Sequence, residues 1–146
     1  HLYGPSYVSL ESALAFYGLI PERVYAVRSV TFKRAKHFST PLGYFDYVTV
    51  PQDYFPNGIH LEVIDKEYAF LIASPEKTLC DMIVLTRNLR IQSVKSMLTY
   101  LEEDLRIDFS AIKTFDKEII RQCINNGKKQ TELIQLLKSI DKIQTK

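Results

Sequence analysis

The hydrophobic pattern of this chain changes period once, at Ser74-Pro75-Glu76, and that change constrains the fold more than any single motif. Residues 23 to 72 carry β-branched and aromatic residues broken by turn signals, with no sustained helical period. Residues 74 to 143 read as one helix after another. Strands gathered in one half and helices in the other predict an α+β fold with a mostly antiparallel sheet over residues 23–72, preceded by a short helix and followed by a helical C-terminal half. At 146 residues the chain is expected to form one domain, 1–146, long enough to build a core without metal or disulfide help.

The short helix starts after Ser9, a residue type suited to the N-cap, with Glu11 in the positive first turn. Leu10, Ala13, Leu14 and Tyr17 mark its buried stripe. Gly18 suits the left-handed position that ends a helix, and Pro21 prevents resumption. Arg23 to Phe32 reads as a strand. Lys36 to Ser39 and Tyr44 to Val50 read as a hairpin joined by a type I turn at Thr40-Pro41-Leu42-Gly43. Ile59 to Ile64 and Glu67 to Ile72 form a second hairpin candidate across Asp65-Lys66.

In the helical half, Ser74, Pro75 and Glu76 supply a cap, a Pro at the first helical position and an acid in the first turn. Leu79, Cys80, Met82 and Ile83 face inward. Ser93 caps the next helix, which carries Val94, Met97, Leu98 and Leu101. The acids Glu102, Glu103 and Asp104 stand at the wrong end for the helix dipole, so they are expected to pair with something or to mark a chain reversal. Asp116 caps a further helix, with Phe115 and Ile120 as a hydrophobic staple and Asn125-Asn126-Gly127 at its end. A last helix carries Leu133, Leu136, Leu137 and Ile140.

Several chemistries lack their residues. The glycines at positions 4, 18, 43, 58 and 127 are too scattered for a phosphate-cradling loop. His1, His37 and His60 stand far apart, and neither Cys80 nor Cys123 has a second Cys or a His within four residues, so no structural metal and no cofactor is expected. Both cysteines sit in apolar helical patterns, which predicts two buried thiols and a cytoplasmic protein. No charge-free stretch exceeds ten residues, well short of the ~18 a membrane span needs. No Asp or Glu has a Lys two positions later, as a restriction-type nuclease presents on a strand; Glu62, Asp65 and Glu67 remain the carboxylates on which a diverged metal-dependent nuclease could draw, against the plainer reading as a solvated strand face.

The clearest charge feature runs from Arg23 to Phe45. It holds Arg23, Arg28, Lys33, Arg34, Lys36 and His37 without one acid, and Tyr25, Phe32 and Phe38 lie among them. Arg28, Lys33, Arg34, Lys36 and His37 are the candidate contacts to nucleic acid or a partner, with aromatic rings to support bases. The plainer reading puts the aromatics in the core and the cations on a solvated edge strand. Internal pairing with the acids of residues 102–104 is a third reading.

Five stretches occur in order: Tyr3-Gly4-Pro5-Ser6-Tyr7-Val8-Ser9-Leu10-Glu11-Ser12-Ala13-Leu14, Tyr17-Gly18-Leu19-Ile20-Pro21-Glu22, Ser29-Val30-Thr31-Phe32-Lys33-Arg34, Thr40-Pro41-Leu42-Gly43-Tyr44-Phe45 and Ala73-Ser74-Pro75-Glu76-Lys77-Thr78-Leu79-Cys80-Asp81. Over residues 3 to 85 the chain resembles the C-terminal domain of the AbiEi family of bacterial antitoxins, the transcriptional-regulator half of type IV toxin–antitoxin systems linked to abortive infection. The resemblance implies a winged helix-turn-helix upstream that binds operator DNA, and the start at His1 without a Met fits a missing N-terminal part. It further implies autoregulation of the operon and neutralisation of a nucleotidyltransferase-like toxin without a stable complex. It attaches no catalytic residue to these motifs, so a non-enzymatic domain is expected. Residues 86–146 match no pattern of that family. A dimerisation or partner-docking module of an unrelated regulator is the other non-enzymatic reading.

Overall fold

A computed structural model describes residues 6–21, 26–41, 43–65 and 68–145. It is an α+β fold in which a six-stranded mixed sheet meets a helical C-terminal half. The strands are β1 (Ser6–Val8), β2 (Ala26–Thr31), β3 (Lys36–Thr40), β4 (Gly43–Thr49), β5 (Ile59–Asp65) and β6 (Tyr68–Ala73), in the spatial order β3-β4-β2-β1-β6-β5. The pairings β1/β2, β3/β4 and β5/β6 are antiparallel, whereas β1/β6 and β2/β4 are parallel. Both hairpins stand where turn chemistry puts them. The expected strand at Arg23 to Phe32 is described from Ala26 on; Arg23 and Tyr25 lie outside the described residues, as do Leu42 of the first turn and Lys66 and Glu67 of the second.

One strand was not legible. Ser6–Val8 is a three-residue strand at the centre of the sheet, preceding the first helix, so the sheet draws on residues before 23. Three residues are too few to show a period. The helix α1 (Leu10–Phe16) follows at once. Past the C-terminal end of β1, β2 runs on from Arg28 to Ala26 whereas β6 stops at Ala73, and α1 lies along the stretch of β2 that β1 leaves unpaired. The Ser12 hydroxyl donates to the Ala26 carbonyl at 2.9 Å and accepts from the Arg28 amide at 2.8 Å, taking the place of a strand neighbour for β2. On the other side the Tyr17 hydroxyl donates to the Ala73 carbonyl of β6 at 2.7 Å. Gly18, at φ +69°, ends α1 in the left-handed region as expected.

The helical half comprises α2 (Pro75–Leu85), α3 (Val94–Thr99), a π-helical turn continuing it (Tyr100–Asp104), α4 (Phe109–Ile112), α5 (Lys117–Asn126) and α6 (Gln130–Gln144). Ser74, Ser93 and Asp116 each cap a helix through the side chain, accepting from the amides of Lys77, Ser96 and Glu118. The four-residue α4 has no counterpart in the sequence pattern; Asp108 caps it. After the acids of residues 102–104 the helix ends: the Ile107 amide donates to the Leu101 carbonyl at 2.9 Å and the Leu105 amide to the Tyr100 carbonyl, with Arg106 at φ +60° in the left-handed region. Residues 76–83 of α2 are all buried, charged residues included, which marks α2 as the central helix of the domain. Its Leu79, Cys80 and Ile83 join Met97, Leu101, Ile112, Ile120, Leu133, Leu136 and Ile140 in one core. Cys80 and Cys123 are free, buried thiols.

Candidate functional site

The basic residues of the sequence come to one end of the sheet, where β3 is the edge strand. Between β2 and β3 the chain must step over β4, which lies between them in space, and two threonines fix that crossing. The Lys33 amide donates to the Thr31 hydroxyl at 3.1 Å, and the Thr49 hydroxyl donates to the Lys33 carbonyl at 2.6 Å. Lys33, Arg34, Lys36 and His37 are all exposed.

Arg28 behaves differently. It stands opposite Asp46 in the parallel β2/β4 register, and its guanidinium meets Asp46 at 3.1 Å and Glu11 of α1 at 2.8 Å. Burial alone would lower its pKa; the hydrogen bonds and charges of Glu11 and then Asp46 outweigh this and hold it above its ordinary value. Arg28 is therefore an internal tie between α1 and the sheet. The acid-free stretch of sequence is not acid-free in space.

The remaining cations divide between faces. Residues opposite one another in a ladder share a face, so Lys36 and Phe38 lie with Tyr47 and Phe45, while His37 lies on the other face with Asp46. The His37 ring stacks on Tyr44, centroids 6.0 Å apart and planes 25° from parallel, and both rings are exposed. Phe38 packs edge-on against the buried Tyr47 at 5.9 Å. Phe32 turns inward onto Phe55 at 5.1 Å, so this aromatic belongs to the core. The arrangement is a basic loop and edge with one exposed stacked pair, capable of meeting a phosphate backbone and a base face.

A second cluster, unanticipated from the sequence, fills the domain centre. The Asp81 carboxylate, fully buried, accepts from the hydroxyls of Ser9 at 2.6 Å, Tyr54 at 2.7 Å and Tyr7 at 2.9 Å. One turn earlier on α2, the Lys77 ammonium donates to the carbonyls of Tyr54 at 2.7 Å and Phe55 at 3.2 Å, and lies 4.0 Å from the Tyr54 ring centroid. Burial pushes the Asp81 carboxyl up, against the pull of Lys77 and the three hydroxyls, and pushes Lys77 down. The Tyr7 and Tyr54 phenols are driven far up, chiefly by burial and then by Asp81. These residue types are those of a catalytic centre, but Lys77, Asp81 and Tyr54 are 0% exposed and their polar atoms are spent on one another and on backbone. The cluster binds β1, the residue 51–58 loop and α2 together.

The cluster draws on the first and last of the five sequence stretches, through Tyr7 and Ser9 and through Lys77 and Asp81. Ser9 occupies the N-cap position of α1, yet its side chain makes no capping bond and reaches Asp81 instead. Glu76 accepts from the Asp116 amide at 2.6 Å, tying α2 to the start of α5. The signal available in the sequence was a Lys and an Asp four apart, flanked by apolar residues on an otherwise inward-facing helix.

Glu62 of the carboxylates considered for a nuclease lies 3.4 Å from His60 on β5; Glu67 lies outside the described residues. Among the described residues no three His, Cys, Asp or Glu side chains gather as metal ligands would, and no helix is long and apolar enough to cross a membrane. The chain matches no protein-family model and no curated protein.

Proposed function

We propose that this chain is a non-enzymatic domain of an AbiEi-like antitoxin, and that the β2–β3 loop with edge strand β3 is its contact surface for nucleic acid. The reading rests on the five sequence stretches and on one observation: Lys33, Arg34, Lys36 and His37 are exposed together at one sheet edge. Operator sequence is read by a winged helix upstream, and the domain serves autoregulation of the operon and neutralisation of a nucleotidyltransferase-like toxin with which it forms no stable complex.

Three or four phosphate contacts give weak binding and no sequence discrimination by themselves. Tethered to a sequence-reading domain, the same contacts act at high effective concentration and add affinity without specificity. The test is fluorescence polarisation with random-sequence duplex DNA and single-stranded RNA across a salt series. Binding by the 146-residue chain is expected to be weak and salt-dependent, and K33Q/R34Q/K36Q together flatten the slope of log affinity against log salt by roughly two to three units. An unchanged slope with the triple variant folded overturns the surface assignment. Loss of toxin neutralisation with nucleic-acid binding untouched makes the edge a protein-docking surface instead.

A further inference from the structure

The two edges of the sheet differ in their defences. Strand β3 carries Lys36 and His37 and is flanked by Lys33 and Arg34, the kind of charge that keeps an edge from pairing with another chain. Strand β5 closes the opposite end, and no described strand pairs with its outer side. Over residues 59–63 its formal charge is that of Glu62 alone. Leu61 and Val63 are 58% and 62% exposed, and the ladder puts Leu61 beside the half-exposed Leu71 on one face. Apolar residues at this exposure on an unpaired edge are a pairing surface unless something covers them.

The sequence of the strand identifies the cover. Ile59-His60-Leu61-Glu62-Val63 alternates apolar and polar symmetrically about Leu61, with an imidazole on one side of it and a carboxylate on the other. An antiparallel second copy centred on that residue sets Leu61 opposite the second copy's Leu61. It sets Val63 opposite Ile59 and Glu62 opposite His60, each twice by symmetry. Apolar meets apolar, and the one acid meets the one imidazole. A shift by two residues in either direction breaks this match by placing His60 against His60 or Glu62 against Glu62. The irregularity between Val63 and Asp65 ends the regular stretch there, which confines pairing to this window.

We propose that β5 is a self-pairing edge through which two copies of the chain join antiparallel about Leu61, extending the sheet across a two-fold axis. The interface is isologous, as a two-fold dimer requires. It is independent of the nucleic-acid assignment, because it uses the other edge of the sheet.

The test combines sedimentation over a concentration series with register-specific variants, folding being checked by circular dichroism. The chain is expected to dimerise reversibly. L61C, whose thiols meet at the axis, forms a covalent dimer in air. V63C does not, because its two copies stand four positions out of register, roughly 13 Å apart. H60E faces the second copy's Glu62 with a like charge at two places and raises the dissociation constant about tenfold, whereas H60K lowers it. A chain monomeric at every concentration, equal cross-linking of the two cysteine variants, or a dissociation constant indifferent to H60E overturns the proposal.

Discussion

Asp81 accepts three side-chain hydrogen bonds at the buried centre of the fold. Its carboxylate is held by Tyr7 and Ser9 from the start of the chain and by Tyr54 from the loop after β4, both segments distant in sequence from α2, and its charge offsets that of the buried Lys77 on the same helix. A buried carboxylate of this kind contributes little over a well-packed apolar replacement only if its partners are replaced too. Removing it alone leaves three buried hydroxyls without an acceptor and a buried ammonium without its counter-charge. Asp81→Leu, which is close to Asp in shape, is therefore expected to destabilise the chain by about 3–5 kcal/mol. Tyr54→Phe, which removes one donor and keeps the ring, costs about 1–2 kcal/mol. Urea unfolding reads both as a lower midpoint at unchanged slope. A loss below about 1 kcal/mol for Asp81→Leu would show that packing, and not the polar cluster, joins α2 to β1.

At the scale of elements, α1 lies against β2 where a longer β1 would have run, and Ser12 bonds the β2 backbone there. Ser12→Ala strips the partner from both the Ala26 carbonyl and the Arg28 amide, at a cost of about 1–2 kcal/mol. The specific readout is hydrogen exchange. The Arg28 amide loses protection in Ser12→Ala and keeps it in Ser12→Thr, and equal protection in both would remove Ser12 from this role. The same region shows what the sequence could and could not disclose. Helix ends were legible because Ser74, Ser93, Asp116 and Gly18 act locally, through bonds or backbone angles within a turn of their own position. Strand order was not. The parallel partner of β2 is β4 and that of β6 is β1, choices made by packing between distant segments, while turn residues report only the antiparallel hairpins. Arg28 is the matching case at the candidate site: its acids, Glu11 and Asp46, come from neighbouring elements that sequence spacing does not bring together.

Across the whole molecule, tyrosine burial gives the fold a characteristic response to alkali. Burial, with nearby acids adding to it, drives Tyr7 and Tyr54 far above the ordinary 10.0 and pushes Tyr17 and Tyr100 up to about 12; Thr86 opposes the shift at Tyr100. A phenol whose pKa is higher folded than unfolded holds its proton more tightly in the native state. The stability this represents is complete below pH 10.0 and is lost as pH rises through 10.0 to about 12. Lys77 acts in the opposite sense, because its folded pKa is depressed below 10.5 and its buried charge disappears as pH rises toward that value. Burial depresses Lys129 likewise and raises Tyr47, so five tyrosines against two lysines leave a net fall. The chain is expected to unfold cooperatively above pH 10.0, with tyrosinate absorbance lagging that of the urea-unfolded chain and then rising together with the loss of helical circular dichroism. Tyr7→Phe and Tyr54→Phe weaken that pH dependence even though each lowers stability at neutral pH. Ionisation of all nine tyrosines near pH 10.0 in a chain that stays folded would mean that water reaches the phenols, and with it that the Asp81 cluster is open enough to serve as something other than a structural tie.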